Sequence, residues 1–338
     1  MKYPSISIVF ATLNAGSVLE NCLESIAKQN YPKDRFEVII ADGGSKDNTL
    51  AIAKKYEVKI LKNPLKTSEA GKAVCVKQAH GDLIAFIDSD NILPDENWLL
   101  QMVAPFEDDN IVGSEPITYT YRRQDPFLTR YFALLGMNDP ICLFIGNYDR
   151  ISVLTNKWTN LKFTQVDKGN YLKTKLDTEP LPTIGANGTL IRKSTLFKQP
   201  IGDYLFDIDL FVNILRKDGC FYFAKVKNGI IHTYVEDDII KFFRKQLRRI
   251  NDMSYHKAKG GRSVNWEGSF FWKVVYFQIQ CLLVFPIIYQ TLKGYLRKPD
   301  PAWLFHPVAC YSTLVIYLYG WIKGKINPGE SSRLNWKQ

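Results

Sequence analysis

Residues 83–90 read LIAFIDSD: an unbroken apolar run leads into two aspartates that flank a serine. A short apolar run without polar alternation is the pattern of a strand buried on both faces, as in a parallel sheet. In open α/β sheets, ligands bind beyond the carboxyl ends of the strands. Asp88 and Asp90 therefore stand at the end of the strand where a ligand would bind. Two close carboxylates repel each other, and an opposing charge stabilises both. A hard divalent cation that keeps positions open for phosphate oxygens meets that need. A turn with capping aspartates is the alternative.

The preceding residues repeat the pattern. Ser5–Thr12 (SISIVFAT), Phe36–Ala41 (FEVIIA) and Val58–Leu61 read as strands. Between and after them, helices are predicted over Val18–Gln29 with Ser17 as N-cap, Thr49–Tyr56 capped by Asp47, Glu69–His80 and Glu96–Phe106. This alternation predicts an α/β fold with a mostly parallel, Rossmann-like sheet and right-handed crossovers. Thr12 and Asn14 close the first strand, and Asp42 closes the second. Lys72 enters the helix before the fourth strand, where a lysine meets a diphosphate. Together these groups describe a nucleotide-diphosphate site with a metal. No GxGxxG follows a strand and no GxxxxGK[ST] occurs, which disfavours a dinucleotide fold and a P-loop ATPase.

From about Ile111 to Asp203 the pattern is less regular. It holds polar islands at Met137-Asn138-Asp139 and Asn147-Tyr148-Asp149-Arg150, and a turn at Gly185-Ala186-Asn187-Gly188. Leu205–Arg216 is helical in pattern, and Phe221–Val226 and Gly229–His232 read as two short strands. The last hundred residues change character. Ile239–Met253 sets Ile239, Phe242, Phe243, Leu247, Ile250 and Met253 at helical spacing among lysines and arginines, a basic amphipathic helix of the kind that lies on an anionic membrane surface. Phe270–Gln290 and Ala302–Ile322 are each about the 20 residues a bilayer crossing needs. Lys293, Arg297 and Lys298 lie between them and oppose a simple hairpin of spans. Spanning helices, re-entrant or interfacial helices, and buried helices of a soluble domain all stay open.

The chain has 338 residues, of which 46% are hydrophobic and 23% charged, enough for one large or two ordinary domains. Disordered and collagen-like classes are excluded by this composition. The net charge of +10 points to an anionic partner. Nucleic acid is not the expected one, because the basic cluster runs into apolar stretches rather than an RNA-reading module. Six scattered cysteines form no CxxC pair, so neither a disulfide framework nor a zinc site is expected. The N-terminus shows no signal-peptide pattern, so the bulk of the chain is expected in the cytoplasm.

Taken together, SIVFATLNAG, VIIADGGSKDNT, HGDLIAFIDSDNILPDENWL, GANGTLIRKSTL and FDIDLFVNILRKDG resemble a family 2 glycosyltransferase with the GT-A (nucleotide-diphospho-sugar transferase) fold, over roughly Ser5 to His232. The resemblance implies that Thr12, Asn14 and Asp42 contact base and ribose of a nucleotide sugar, and that Lys72 lies near the diphosphate. It makes Asp88 and Asp90 the Asp-x-Asp pair, with Asp90 the direct ligand of Mg²⁺ or Mn²⁺ and His232 near the metal or the diphosphate. Asp207 matches the catalytic base, while Phe206 stands where the family often has an acidic residue. Asp207 and Asp209 also suit a helix N-terminus on charge alone. Gly185 and Asn187 fall in a loop that the family places near the acceptor. Gln246 and Arg249 resemble a Gln-x-x-Arg-Trp element in which Ile250 replaces Trp, and Arg249 is implied at the departing diphosphate.

The expected protein is thus a membrane-associated, metal-dependent, inverting glycosyltransferase. It would hold its catalytic domain on the cytoplasmic face of the cell membrane and transfer a sugar to a lipid-linked or glycan acceptor. The expected parts are a catalytic domain over 1–235, a basic interfacial segment over 236–265 and a membrane-associated helical tail over 266–338. A polyprenyl-phosphate glycosyltransferase and a non-catalytic nucleotide-sugar-binding subunit are the alternatives.

Overall fold

The computed structural model describes residues 3–264 and 266–326. The chain divides into two compact units, one of 1–120 with 162–232 and the other of 121–161 with 233–338. Residues 121–161, expected within a continuous catalytic domain, thus share a unit with the C-terminal segment.

The first unit begins with β1 (Ile6–Thr12), α1 (Gly16–Ala27), β2 (Phe36–Asp42), α2 (Thr49–Lys55), β3 (Lys59–Lys62), α3 (Ser68–Lys77) and β4 (Leu83–Phe86). These are the expected alternating elements, with ends shifted by a few residues. The short β5 (Asn91–Ile92), α4 (Trp98–Val103) and β6 (Ile111–Tyr119) follow. The second unit contributes α5 (Phe127–Leu135) and α6 (Ile141–Ile145). The chain then returns to the first unit with β7 (Thr164–Asp167), β8 (Tyr171–Leu176), β9 (Thr189–Arg192), α7 (Lys193–Leu196), α8 (Asp207–Asp218) and β10 (Phe221–His232). The strand order is β3-β2-β1-β4-β9-β6-β10-β8-β7, with β5 paired to β10. Strands β3, β2, β1 and β4 are parallel, as are β6 and β10, whereas β9 runs against its neighbours β4 and β6.

The sheet is held by apolar residues without exposure, including Ile8, Val9, Phe10, Ile39, Ile40, Ile84 and Ala85. Burial of each large aliphatic or aromatic side chain stabilises by roughly 1.5–3 kcal/mol. The register sets Thr12 beside Asp42, and Ile87 N donates to Val9 O. The ends of β1, β2 and β4 therefore meet at one edge, and Asp88 follows directly.

Helix α1 starts two residues before its expected beginning, and Ser17 does not cap it. Ala15 N donates to Thr49 Oγ1 and Gly16 N to Asp47 Oδ2, so residues at the start of α2 rather than Ser17 hold the entry to α1. The two short strands expected over 221–232 are one strand, β10, with an irregularity between Val226 and Gly229. That bulge breaks the apolar alternation and made one strand read as two.

In the second unit, α9 (Ile239–Ala258), α10 (Trp266–Leu283), α11 (Phe285–Arg297) and α12 (Phe305–Ile326) complete the chain. The apolar stretch expected over 270–290 is not one straight helix: α10 and α11 meet at 88°. The core of this unit is aromatic. Phe132, Phe242 and Phe305 meet with ring centroids 5.4–6.4 Å apart.

Candidate active site

At the shared end of β1 and β2, Asp42 closes a tight turn. Its Oδ1 accepts from Thr12 Oγ1 (3.0 Å) and Ser45 Oγ (2.5 Å), and its Oδ2 accepts from Gly44 N and Ser45 N (both 2.8 Å). Two bonds on each oxygen fill the acceptor capacity of a carboxylate. Asn14, in the left-handed region at φ +50, accepts from Lys46 N through Oδ1. Thr12, Asn14 and Asp42 thus build one polar ledge in which Asp42 shapes the loop.

Helix α3 brings Lys72 to the same edge. Thr67 caps the helix by accepting from Ala70 N, and Gly71 lets it lie close on β1: an added Cβ would stand 2.4 Å from Ala11 Cβ. Lys72 is 4% exposed, and its Nζ donates to both oxygens of Asp207 at 2.6 Å. Asp207 opens α8 and lies beside the turn at 185–188, so the residues implied as diphosphate cation and catalytic base are in direct contact. Burial pushes the Asp207 carboxyl above the ordinary carboxylate range, against the pull of Lys72. Burial alone would lower the Lys72 ammonium, but Asp207, Glu69 and Asp88 together hold it up. The Asp88 carboxyl is raised by burial and by the charges of Asp90 and Asp207, against Lys72 and His232.

The Asp-x-Asp turn is bonded to the turn after β8. Asp88 N donates to Asn91 Oδ1, Asn91 Nδ2 to Asn187 Oδ1 (3.0 Å), and Asn187 Nδ2 to Tyr119 OH (3.2 Å). Pairing of β5 with β10 sets His232 opposite Asn91 and brings its Nε2 to 3.3 Å from Asp90 Oδ1. Gly188 N donates to Phe86 O, and Gly188 at φ +86 passes too close to Trp98 and Ile230 for any larger residue.

Among the described residues no three His, Cys, Asp or Glu side chains form a group that encloses a metal ion. The donors present still fit one. Asp90 and Asp88 with His232 offer a partial oxygen and nitrogen set on the ligand-binding edge, as suits a cation that takes its other ligands from phosphate oxygens.

Two site residues escaped the sequence reading. Glu115 on β6 and Lys225 on β10 are neighbours in register, both without exposure, and their charged ends meet at 2.6 Å. Thr189 Oγ1 lies within hydrogen-bond distance of both Glu115 Oε1 (3.1 Å) and Gly185 O (2.5 Å), and its one proton serves either acceptor. This buried pair underpins the turn that holds Gly185 and Asn187. Its signal was present as one charge of each sign inside the apolar runs IVGSEPITY and FYFAKV. In the second unit, Arg249 Nη1 donates to Asp139 Oδ2 (3.0 Å) and Gln246 Oε1 (2.5 Å). Ile250 packs on Gly320 there, so close that a Cβ added at Gly320 would stand 2.3 Å from Ile250 Cγ2.

The sequence profile described as glycosyl transferase family 2 matches residues 7–196, more than half of the chain. The chain belongs to glycosyl transferase family 2. It is 26% identical over 142 residues to glycosyltransferase AglE of Haloferax volcanii, covering 40% of this chain and 46% of that protein. To the poly(ribitol-phosphate) β-N-acetylglucosaminyltransferase TarS of Staphylococcus aureus it is 37% identical over 110 residues, covering 31% of this chain and 19% of that one. The chain thus spans less than half the length of either relative. Over 96% of its length it is 22% identical to 98% of a dolichyl N-acetyl-α-D-glucosaminyl phosphate 3-β-D-2,3-diacetamido-2,3-dideoxy-β-D-glucuronosyltransferase of Methanococcus voltae. The solved structure of the mannosyltransferase PcManGT from Pyrobaculum calidifontis, in complex with GDP-Man and Mn²⁺, shares the GT-A fold. It has a TM-score of 0.54 at 13% identity and covers 94% of this chain and 88% of that one.

Proposed function

We propose that the transferase moves a sugar from a nucleotide-diphosphate donor to a lipid-linked or glycan acceptor, with inversion, at the cytoplasmic face of the cell membrane. The observation that carries this reading is the gathering of Lys72, Asp88, Asp90, His232 and Asp207 at the end of the parallel strands. The ledge of Thr12, Asn14 and Asp42 receives the nucleoside at the same edge. The acceptor oxygen attacks the anomeric carbon while the bond to the diphosphate breaks, and its electron pair leaves on the diphosphate oxygen. Lys72 stabilises that charge, and Asp207 takes the proton of the acceptor hydroxyl. Asp88 and Asp90, with His232, would hold Mg²⁺ or Mn²⁺, which supplies further positive charge at the diphosphate when bound. Gly185 and Asn187 line the acceptor side.

The dolichyl-linked acceptor named for the M. voltae relative supports a lipid-linked acceptor here. One observation favours a second reading. Because Lys72 bonds both oxygens of Asp207 and lowers its affinity for a proton, a polyprenyl phosphate acceptor, already anionic and in no need of a base, suits the site. Purified enzyme with Mn²⁺, a panel of nucleotide sugars and membrane lipid extract tests the reading. Labelled sugar is expected in the lipid or glycan fraction with one donor, and release of free sugar alone from every donor would contradict it.

A further inference from the structure

The second unit carries a geometry that deepens the membrane-associated reading and rests on it. We infer that α10 and α11 form a re-entrant wedge whose apex, Leu282–Phe285, enters one leaflet of a lipid bilayer, and that α12 lies along the membrane rather than across it.

Residues Pro301–Ile326 are long and apolar enough to cross a bilayer. Yet α9 runs beside α12 in the same direction from Phe242 to Ser254. Phe242 meets Phe305, Gln246 Nε2 donates to Thr313 Oγ1, Ile250 lies on Gly320, and Ser254 lies on Gly324. Between and around these contacts α9 carries Lys241, Arg244, Lys245, Arg248, Arg249, Asp252 and Lys257. If α12 crossed the hydrocarbon, it would draw these charges in with it. Lys, Arg and Asp are each costly at the centre of a membrane helix. A seat at the interface lets the charges reach water and anionic headgroups while Leu304, Val315 and Ile326, each more than 60% exposed, face the lipid.

The α10–α11 pair has both ends on one side. Lys273 Nζ donates to Ile145 O (2.6 Å) near the start of the pair. Past the bend, Arg297 donates to Val153 O and Leu154 O, and Lys298 stands 3.9 Å from the ring centroid of Tyr121. Asp300 accepts from Tyr121 and Arg130. All these partners belong to the one packed segment 121–161, so a single bent span would place parts of that segment on opposite sides of the bilayer. The chain turns by 88° at Val284, which sits in the left-handed region at φ +61. The side chains of the apex are bare: Leu282 is 76% exposed and Phe285 74%.

The test uses the full chain in sealed vesicles of one orientation. Cys220, the native thiol that is not buried, is replaced by Ser. Single cysteines are then placed by Ser263→Cys, Pro299→Cys and Ile326→Cys and exposed to a membrane-impermeant maleimide. All three are expected to react from the same side. Reaction of positions 263 and 299 from opposite sides would overturn the wedge, and opposite reaction of 299 and 326 would overturn the seat of α12. The double variant Leu283→Asp with Phe285→Asp is expected to lose flotation with phosphatidylglycerol–phosphatidylethanolamine vesicles at least tenfold and to keep its affinity for nucleoside diphosphate. If it instead converts a dimer to a monomer and floats unchanged, a second copy covers the apex and the wedge is wrong. Wild-type protein that fails to float at all contradicts the membrane-associated reading itself, a failure distinct from misplaced labels.

Discussion

Lys72 and Asp207 form the contact on which the chemistry turns. A carboxylate raised by burial is a better proton acceptor near neutral pH than an exposed one, and the adjacent ammonium keeps it ionised until a diphosphate draws Lys72 away. If Asp207 is the base, Asp207→Asn lowers kcat by about 10²–10⁴-fold with little change in the donor KM. A loss below about tenfold with a phosphate acceptor selects the lipid-phosphate reading instead; steady-state kinetics on both acceptor types decide. Glu115 and Lys225 act from beneath the acceptor turn. Lys225→Met leaves a buried carboxylate alone and is expected to destabilise by about 3–5 kcal/mol, whereas Glu115→Leu with Lys225→Met together recovers most of that. Urea unfolding of the three proteins checks it, and equal losses in the single and double variants would show that the pair is not coupled. Glu115 and Lys225 were visible in the sequence as isolated charges in strand interiors. Their pairing was not, because β6 and β10 lie a hundred residues apart and become neighbours only in the sheet.

At the scale of elements, the alternating strands and helices of the first hundred residues were legible because each strand is a short apolar run and each turn carries its own punctuation. What failed there was local capping: Ser17 looks like an N-cap, but Asp47 and Thr49 reach α1 from another loop. The Asp-x-Asp turn was legible as chemistry, whereas its tie to Asn187 through Asn91 needed the fold. The apolar stretch at 270–290 was legible by composition, but periodicity carries no sign of a sharp bend at a residue such as Val284. Helix α3 places Lys72 through the close approach of Gly71 to Ala11. Gly71→Ala is expected to destabilise by about 1–3 kcal/mol through overpacking, and Ala11→Gly added to it to restore part of that loss. Thermal or urea melts test this; an additive double variant would show that the two sites do not touch.

On the whole-molecule scale, the transferase joins a GT-A sheet to a helical unit rich in exposed apolar and basic residues. Chelation with EDTA is expected to abolish sugar transfer, and excess Mn²⁺ or Mg²⁺ to restore it; transfer that persists in EDTA would remove the proposed metal. The central claim is that Lys72 and Asp90, remote in sequence, serve one nucleoside diphosphate together with a cation. Calorimetric titration of the nucleoside diphosphate, with and without Mn²⁺, reads it directly in the wild type, Asp90→Asn and Lys72→Met. Binding is expected to tighten at least tenfold with Mn²⁺ in the wild type, to lose that gain in Asp90→Asn, and to weaken in Lys72→Met. Affinity that ignores Mn²⁺ and both substitutions would contradict the account.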